Sequence, residues 1–184
     1  MTAEMKVFST GIDPEDWIPQ RFAQPGEGKI PPISWLHVPA TAKSLILLME
    51  HRDATAGERI HWLVYDIPVT AAGIPEGGPI PEGAKVGKND FGSTGYHPPV
   101  GDPSHKLQHY DFHLLACDLP NLGLAEGASW EAVKEKLRKQ RDPGDIAPPP
   151  ADDPQAVEFH PLGHVIDRAE FSGHYALDTD KPAQ

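Results

Sequence analysis

Three titratable side chains lie where two strongly apolar segments of the sequence end. His51 and Asp53 follow the run 45–49, and His61 precedes the run 63–67. An imidazole can donate or accept a hydrogen bond and can gain charge near neutral pH, whereas an ionised carboxylate only accepts. Rigid strands that carry polar groups at their ends are a common scaffold for a pocket. Such a pocket is suited to binding an anion or to ligating zinc or copper.

The surrounding pattern predicts the elements that position these groups. Run 45–49 is continuously apolar, which predicts a strand buried on both faces, and run 63–67 is rich in aromatic and β-branched residues. The side chains of segment 108–119 should alternate between the two faces of a strand. The inward face is predicted to be formed by Tyr110, Phe112, Leu114 and Ala116. Ser129 is a good N-cap for a helix that reaches about Lys139.

Composition favours one all-β domain covering residues 1–184. The chain has 21 Pro and 17 Gly, which helices tolerate poorly. Its 27 acidic and 16 basic residues give a net charge of −11, which argues against nucleic acid or anionic membranes as partners. The only cysteine, Cys117, cannot form an internal disulfide. Without an apolar leader or spanning segment, the expectation is a soluble cytoplasmic protein rather than an integral membrane protein.

Two segments look like connections rather than elements. Residues 69–87 carry three prolines and are predicted to be a plain surface loop. Residues 142–161 are rich in Pro and Asp and lack apolar periodicity. They are interpreted as an exposed insertion that can be shortened without unfolding the domain.

Several strings resemble the phosphatidylethanolamine-binding protein (PEBP) family, in its bacterial, Raf kinase inhibitor protein-like branch. They are His-Trp-x-x-Tyr-x-Ile-Pro at 61–68, Gly-Lys-Asn-Asp-Phe-Gly at 87–92 and Gly-His-Val-Ile-x-x-Ala-Glu-Phe-x-Gly-x-Tyr at 163–175. The resemblance implies an all-β, PEBP-like antiparallel β-sandwich with Greek-key connections and one short helix near the C-terminal third. It also implies a small anion pocket at one end of the sandwich.

Carried over position by position, the resemblance assigns seven ligand-binding residues: His51, Asp53, His61, Pro98, Pro99, Gln108 and Tyr110. Two of them depart from the family pattern, since His51 replaces an Asp and Gln108 replaces a His. His105 is a candidate to take the place of the family His that Gln108 replaces. Simpler roles stay open: His61 as a core histidine bonded to a backbone carbonyl, Asp53 as a loop cap and Tyr110 as a packed aromatic residue.

The departures have a physical direction. An acid becomes an imidazole beside another imidazole, and Arg52 adds a cation nearby. Both residue types donate hydrogen bonds to oxyanions, so these changes should increase the affinity of the pocket for an anion. If His61 and His51 gain protons in the usual range, sulfate should bind more tightly as pH falls from about 8 toward 6.

Three functions compete at this stage. The first is binding of a small anionic ligand, such as a phosphate monoester or phospholipid headgroup, and the second is protein-interaction regulation such as kinase inhibition. The third is a metal-binding or hydrolytic enzyme that uses the pocket histidines, with His105 or His109 and Asp53 as further ligands. No convincing catalytic or compact metal-binding spacing exists, so neither an enzyme nor a metal or other cofactor is expected. A protein partner and a homodimer stay open.

Overall fold

The computed structural model describes residues 3–53, 59–101, 107–139 and 162–176. Its strands and helix follow in chain order: β1 (Lys6–Phe8), β2 (Asp16–Trp17), β3 (Ile33–Leu36), β4 (Ser44–His51), β5 (Arg59–Ile67), β6 (Gly73–Ile74), β7 (Lys85–Val86), β8 (Gln108–Cys117), α1 (Trp130–Leu137) and β9 (Val165–Tyr175). The strands form a large sheet in the order β2-β9-β8-β4-β5-β7 and a small sheet in the order β1-β3-β6. The predicted all-β architecture with one short helix is confirmed.

Four long antiparallel strands, β9-β8-β4-β5, form the centre of the large sheet. The chain leaves β5, passes through β6 and β7, and returns as β8 on the other side of β4. Strand β4 is paired along its whole length with β8, from Ser44 opposite Cys117 to His51 opposite Tyr110. This register brings polar groups from distant parts of the sequence to one end of the sheet.

The large sheet is apolar on both faces near its centre. Its inner face packs against the small sheet, and the predicted inward residues of β8 all lie in this core. On the outer face, Leu48 and Leu115 contribute to a second core with Val133 and Leu137 of α1. The apolar run in β4 is therefore buried on both sides, as its composition predicts.

The helix begins where its cap predicts. The Ser129 hydroxyl accepts a hydrogen bond from the Ala132 N–H at 3.2 Å, which satisfies one of the amides that every helix start leaves unpaired. The helix ends at Leu137, slightly before the predicted end near Lys139. Near this end, Glu135 forms an ion pair with Arg138, three residues later.

One prediction about a connection needs correction. Segment 69–87 is not a plain loop, because it contains β6, which pairs with β3, and β7, which pairs with β5. The otherwise antiparallel large sheet also includes one short parallel pair, between β2 and β9. Each of these strands has only two residues, which is too short to leave a period in the sequence.

Some sequence predictions fall outside the described residues, namely the insertion at 142–161 and the placement of His105. No helix in the described part of the chain is both long and apolar enough to cross a membrane.

Candidate functional site

Five rings meet where β4, β5 and β8 end or begin. His61 lies at the centre, and its ring centroid is 4.7 Å from Phe91, 5.1 Å from Tyr110, 5.3 Å from His97 and 5.8 Å from His51. All four neighbours meet the His61 ring edge to face, while His51 stacks on Tyr110 with centroids 4.8 Å apart. We call these five residues the ring cluster.

Two hydrogen bonds fix His61 against the segment that follows Gly95. The His97 N–H donates to the His61 carbonyl oxygen at 2.8 Å, and the His61 Nδ1–H donates to the His97 carbonyl oxygen at 2.8 Å. A carbonyl oxygen can only accept, so Nδ1 must carry the proton and Nε2 of the neutral ring must carry a lone pair. That Nε2 is buried and has no hydrogen-bond partner.

A tight turn supplies Phe91 and His97 to the ring cluster. The buried Asn89 side chain accepts hydrogen bonds from the Phe91 and Ser93 N–H groups and donates to the Gly95 carbonyl oxygen at 3.0 Å. Such side-chain bonds to nearby backbone are typical of Asn in turns. Phe91 then stacks on His97 with ring centroids 3.6 Å apart. The family-like string at 87–92 therefore builds one wall of the cluster.

The two residues that depart from the family pattern contact one another. His51 Nε2 lies 2.6 Å from Gln108 Oε1. The Gln108 Nε2 donates to the Leu107 carbonyl oxygen at 3.3 Å, an orientation that leaves Oε1 as the group facing His51. His51 Nε2–H therefore donates to Gln108, and this bond holds the imidazole flat on Tyr110.

Burial and positive neighbours set the protonation of His61. Burial lowers the pKa of His61 to about 4, helped by the charges of His97, His51 and Arg59 and opposed by the bond to the His97 carbonyl. The Arg59 guanidinium lies over the Phe91 ring, 5.5 Å from its centroid. The expectation that His61 gains its proton between about pH 8 and 6 is therefore wrong, because the sequence did not reveal that the ring is only 2% exposed.

Asp53 is not brought into the ring cluster. Its carboxylate accepts hydrogen bonds from the His109 backbone N–H at 2.5 Å and from His109 Nδ1 at 2.9 Å. These bonds lower the pKa of Asp53 although burial alone would raise it. Asp53 lies within electrostatic range of His51 and Tyr110. Its hydrogen bonds, however, are those of a residue that caps a loop, which is the alternative role considered for it from the sequence.

Pro98 and Pro99 follow directly after His97 and contact the segment around Gln24. The Pro99 carbonyl oxygen accepts from the Gln24 N–H at 2.8 Å, and a Cβ on Gly28 would lie 2.8 Å from Pro98 Cγ. The pair therefore fixes the chain just after His97 against the segment around Gln24. Of the seven predicted site residues, the structure groups His51, His61, Tyr110 and Gln108, and the two prolines follow His97 in the chain.

Sequence reasoning missed three members of this region: Phe91, His97 and Arg59. Phe91 lies inside the string at 87–92 that carries the family resemblance, and His97 directly precedes the predicted Pro98, so their positions could have drawn attention. Their role depends on the Asn89 turn, which spacing alone does not reveal. Within the described residues, no three His, Cys, Asp or Glu side chains are placed to hold a metal ion.

Known proteins resemble this chain in both sequence and architecture. The family model described as phosphatidylethanolamine-binding protein matches residues 8–143. The UPF0098 protein of Aquifex aeolicus is 38% identical over 138 residues, which is 73% of this chain and 81% of that protein. The UPF0098 protein of Chlamydia trachomatis is 32% identical over 166 residues, 88% of this chain and 91% of that protein.

Two crystal structures of PEBP relatives resemble the fold. A PEBP homologue from Chlamydia trachomatis superposes with a TM-score of 0.74 at 30% identity, covering 95% of this chain and 99% of its own. YbcL of Escherichia coli, described as a member of the mammalian PEBP family, gives a TM-score of 0.72 at 25% identity over the same shares. The chain therefore belongs to the phosphatidylethanolamine-binding protein family.

Proposed function

We propose that this protein binds a small oxyanion ligand, such as a phosphate monoester or a phospholipid headgroup, at the ring cluster. The observation that carries the proposal is the buried His61 Nε2 without a hydrogen-bond partner. An unpaired buried polar atom costs about 1–3 kcal/mol, so native proteins rarely keep one without a reason. A bound ligand that donates to this atom offsets that cost.

The electrostatics of the cluster favour an anion. Arg59 lowers the pKa of His61 through its permanent charge, and His51 and His97 add to this effect in their protonated forms. No carboxylate in the described part of the chain forms a salt bridge with Arg59. A positive local site in a chain of net charge −11 is a specific arrangement, because the protein as a whole repels anions.

The alternative functions lack a comparable observation. Burial raises the pKa of the Cys117 thiol to about 12, so the thiolate that a nucleophile needs is almost absent at neutral pH. Regulation of a protein partner stays a prediction. Comparing partner capture by the whole chain and by a variant shortened within 142–161 tests it.

Titration calorimetry with inorganic phosphate tests the proposal. His61→Asn keeps an N–H where Nδ1 donates to the His97 carbonyl and removes Nε2, so we expect at least about tenfold weaker binding. His164→Asn is a matched control, because His164 also uses Nδ1, bonded to Asp118 at 2.7 Å, beyond the far end of β8. Equal affinities for wild type and His61→Asn would contradict the proposed site.

A further inference from the structure

We propose that the site selects oxyanions that still carry a proton, because the tautomer of His61 makes its buried Nε2 an obligate hydrogen-bond acceptor. This inference rests on the proposed function and narrows the ligand to protonated tetrahedral oxyacids, such as inorganic phosphate or the monoanion of a phosphate monoester. A fully ionised oxyanion has acceptors only and would place an oxygen lone pair against the Nε2 lone pair. The ligand must therefore donate a hydrogen bond to Nε2 from a P–OH group.

The tautomer is set by the backbone. Nδ1 is 2.8 Å from the His97 carbonyl oxygen, and the His97 N–H is bonded back to the His61 carbonyl at 2.8 Å. Moving the proton to Nε2 would break the first bond and leave a ring nitrogen and a carbonyl oxygen facing each other as two acceptors. The second bond holds the His97 backbone against His61, so the ring cannot avoid this conflict by a small shift.

Protonating His61 is the other way to accommodate an ionised anion, and the surroundings resist it. The charged or titratable groups that face the ring come from every neighbouring element: His51 of β4, Arg59 of β5, Tyr110 of β8 and His97 of the turn segment. The bases among them oppose a further positive charge, and so does burial.

The cost can be expressed as a fold-change. With the pKa of His61 at about 4, a ligand that requires imidazolium should bind up to about 1,000-fold more weakly at pH 7, tenfold for each pH unit above the pKa. Inorganic phosphate avoids this loss because its own P–OH donates to Nε2. Sulfate has the same tetrahedral shape and a similar charge but no proton at these pH values, which makes the two ions a matched pair of probes.

The experiment is calorimetry of wild-type protein with phosphate and with sulfate between about pH 5 and about pH 8. We expect phosphate to bind at least about tenfold more tightly at pH 7, and the preference to fall as pH falls because sulfate gains from protonation of His61. Nitrogen NMR of His61 should record a neutral ring with the proton on Nδ1 in the phosphate complex.

Two further ligands separate a free phosphate group from a lipid headgroup. Methyl phosphate has a second pKa near 6, so its binding should tighten as pH falls through that value and the P–OH appears. Dimethyl phosphate, a diester like a phospholipid, has no such proton and should bind at least about tenfold more weakly than phosphate at pH 7. Equal binding of dimethyl phosphate would overturn the protonated-oxyacid rule and favour a lipid headgroup.

A variant gives an independent reading. His61→Gln replaces the imidazole acceptor by an amide that offers an N–H as well as a carbonyl, so phosphate and sulfate should bind this variant within about threefold of each other. Tight, equal binding of both ions to the wild type, lost in His61→Asn, would overturn the selectivity while the proposed function stands. Binding of neither ion to the wild type would overturn both.

Discussion

His113 provides a test of the electrostatics on the outer face of the large sheet. Its Nε2 lies 3.3 Å from Glu50 Oε2, and its Nδ1 lies 3.3 Å from Glu170 Oε2. Burial is the largest influence and alone lowers the pKa of His113. The carboxylates of Glu50, Glu170 and Asp111 outweigh it, so the pKa is raised above its usual value.

The two contacts should differ in strength because they differ in exposure. The side chains of His113 and Glu50 are 14% and 16% exposed, whereas that of Glu170 is 72% exposed. The first contact is an ion pair between two largely buried groups without hydrogen-bond geometry, so it is less screened than the second, which stabilises by at most about 1 kcal/mol. We therefore expect Glu50→Gln to cost about 1–2 kcal/mol at about pH 6, and Glu170→Gln, the matched control, less than half of that.

The pH dependence has a definite sign. A raised folded-state pKa means that the protonated ring stabilises the fold fully below the unfolded value of about 6.5. This contribution is lost as pH rises through the folded-state pKa of His113. In Glu50→Gln the main opposing carboxylate is gone, burial dominates, and the remaining contribution of His113 should be lost as pH falls instead.

Urea unfolding of both proteins at about pH 6 and about pH 9 measures the effect. The stability difference between wild type and Glu50→Gln should be largest at about pH 6 and shrink at about pH 9. Other titrating groups, His61 among them, are common to both proteins and cancel in this difference. A difference that is the same at both pH values would refute the claim that Glu50 holds the proton on His113.

Three further predictions concern single elements. Ser129→Ala should lower the free energy of unfolding by about 1 kcal/mol, because the N-cap bond to Ala132 is lost; an unchanged urea midpoint would contradict this. Gly73→Ala should cost about 1–3 kcal/mol in the same assay, because its Cβ would lie 2.4 Å from the Ile33 carbonyl oxygen and separate β3 from β6; full stability would mean that the small sheet adapts. Phe91→Ala should speed phosphate release about two- to tenfold, since a ring stack of about 0.5–1.5 kcal/mol that closes the cluster is removed; stopped-flow rates equal to wild type would contradict this role.

The elements that carry a clear local pattern of residues were predictable from the sequence. The double burial of β4, the inward face of β8 and the Ser129 cap each arise from local residue patterns, and each is confirmed. The two-residue strands β2, β6 and β7 were not predictable, because their pairing depends on partners far away in the chain. Their existence is a tertiary effect that no local propensity encodes.

The candidate site divides in the same way. Residue type and family resemblance placed His51, His61, Gln108 and Tyr110 together, and the structure groups them. The protonation of His61 was mispredicted, because burial and the carbonyl bond depend on the turn that carries His97. Asp53 was assigned by position, yet its carboxylate binds His109, which points away from Tyr110 by strand alternation.

The short parallel pairing of β2 with β9 has a consequence for self-association. Strand β2 covers only Gly173 and His174 of the eleven residues in β9, with flanking bonds from Glu15 and Ile18 to the same strand. Along the described chain, the earlier part of β9 pairs with no strand on that side, and it carries alternating charges that discourage edge-to-edge contact. Detachment of β2 would lengthen this open edge past the charged stretch. A chain in which β2 is detached should therefore aggregate more readily than the native one, through the last strand of its sheet.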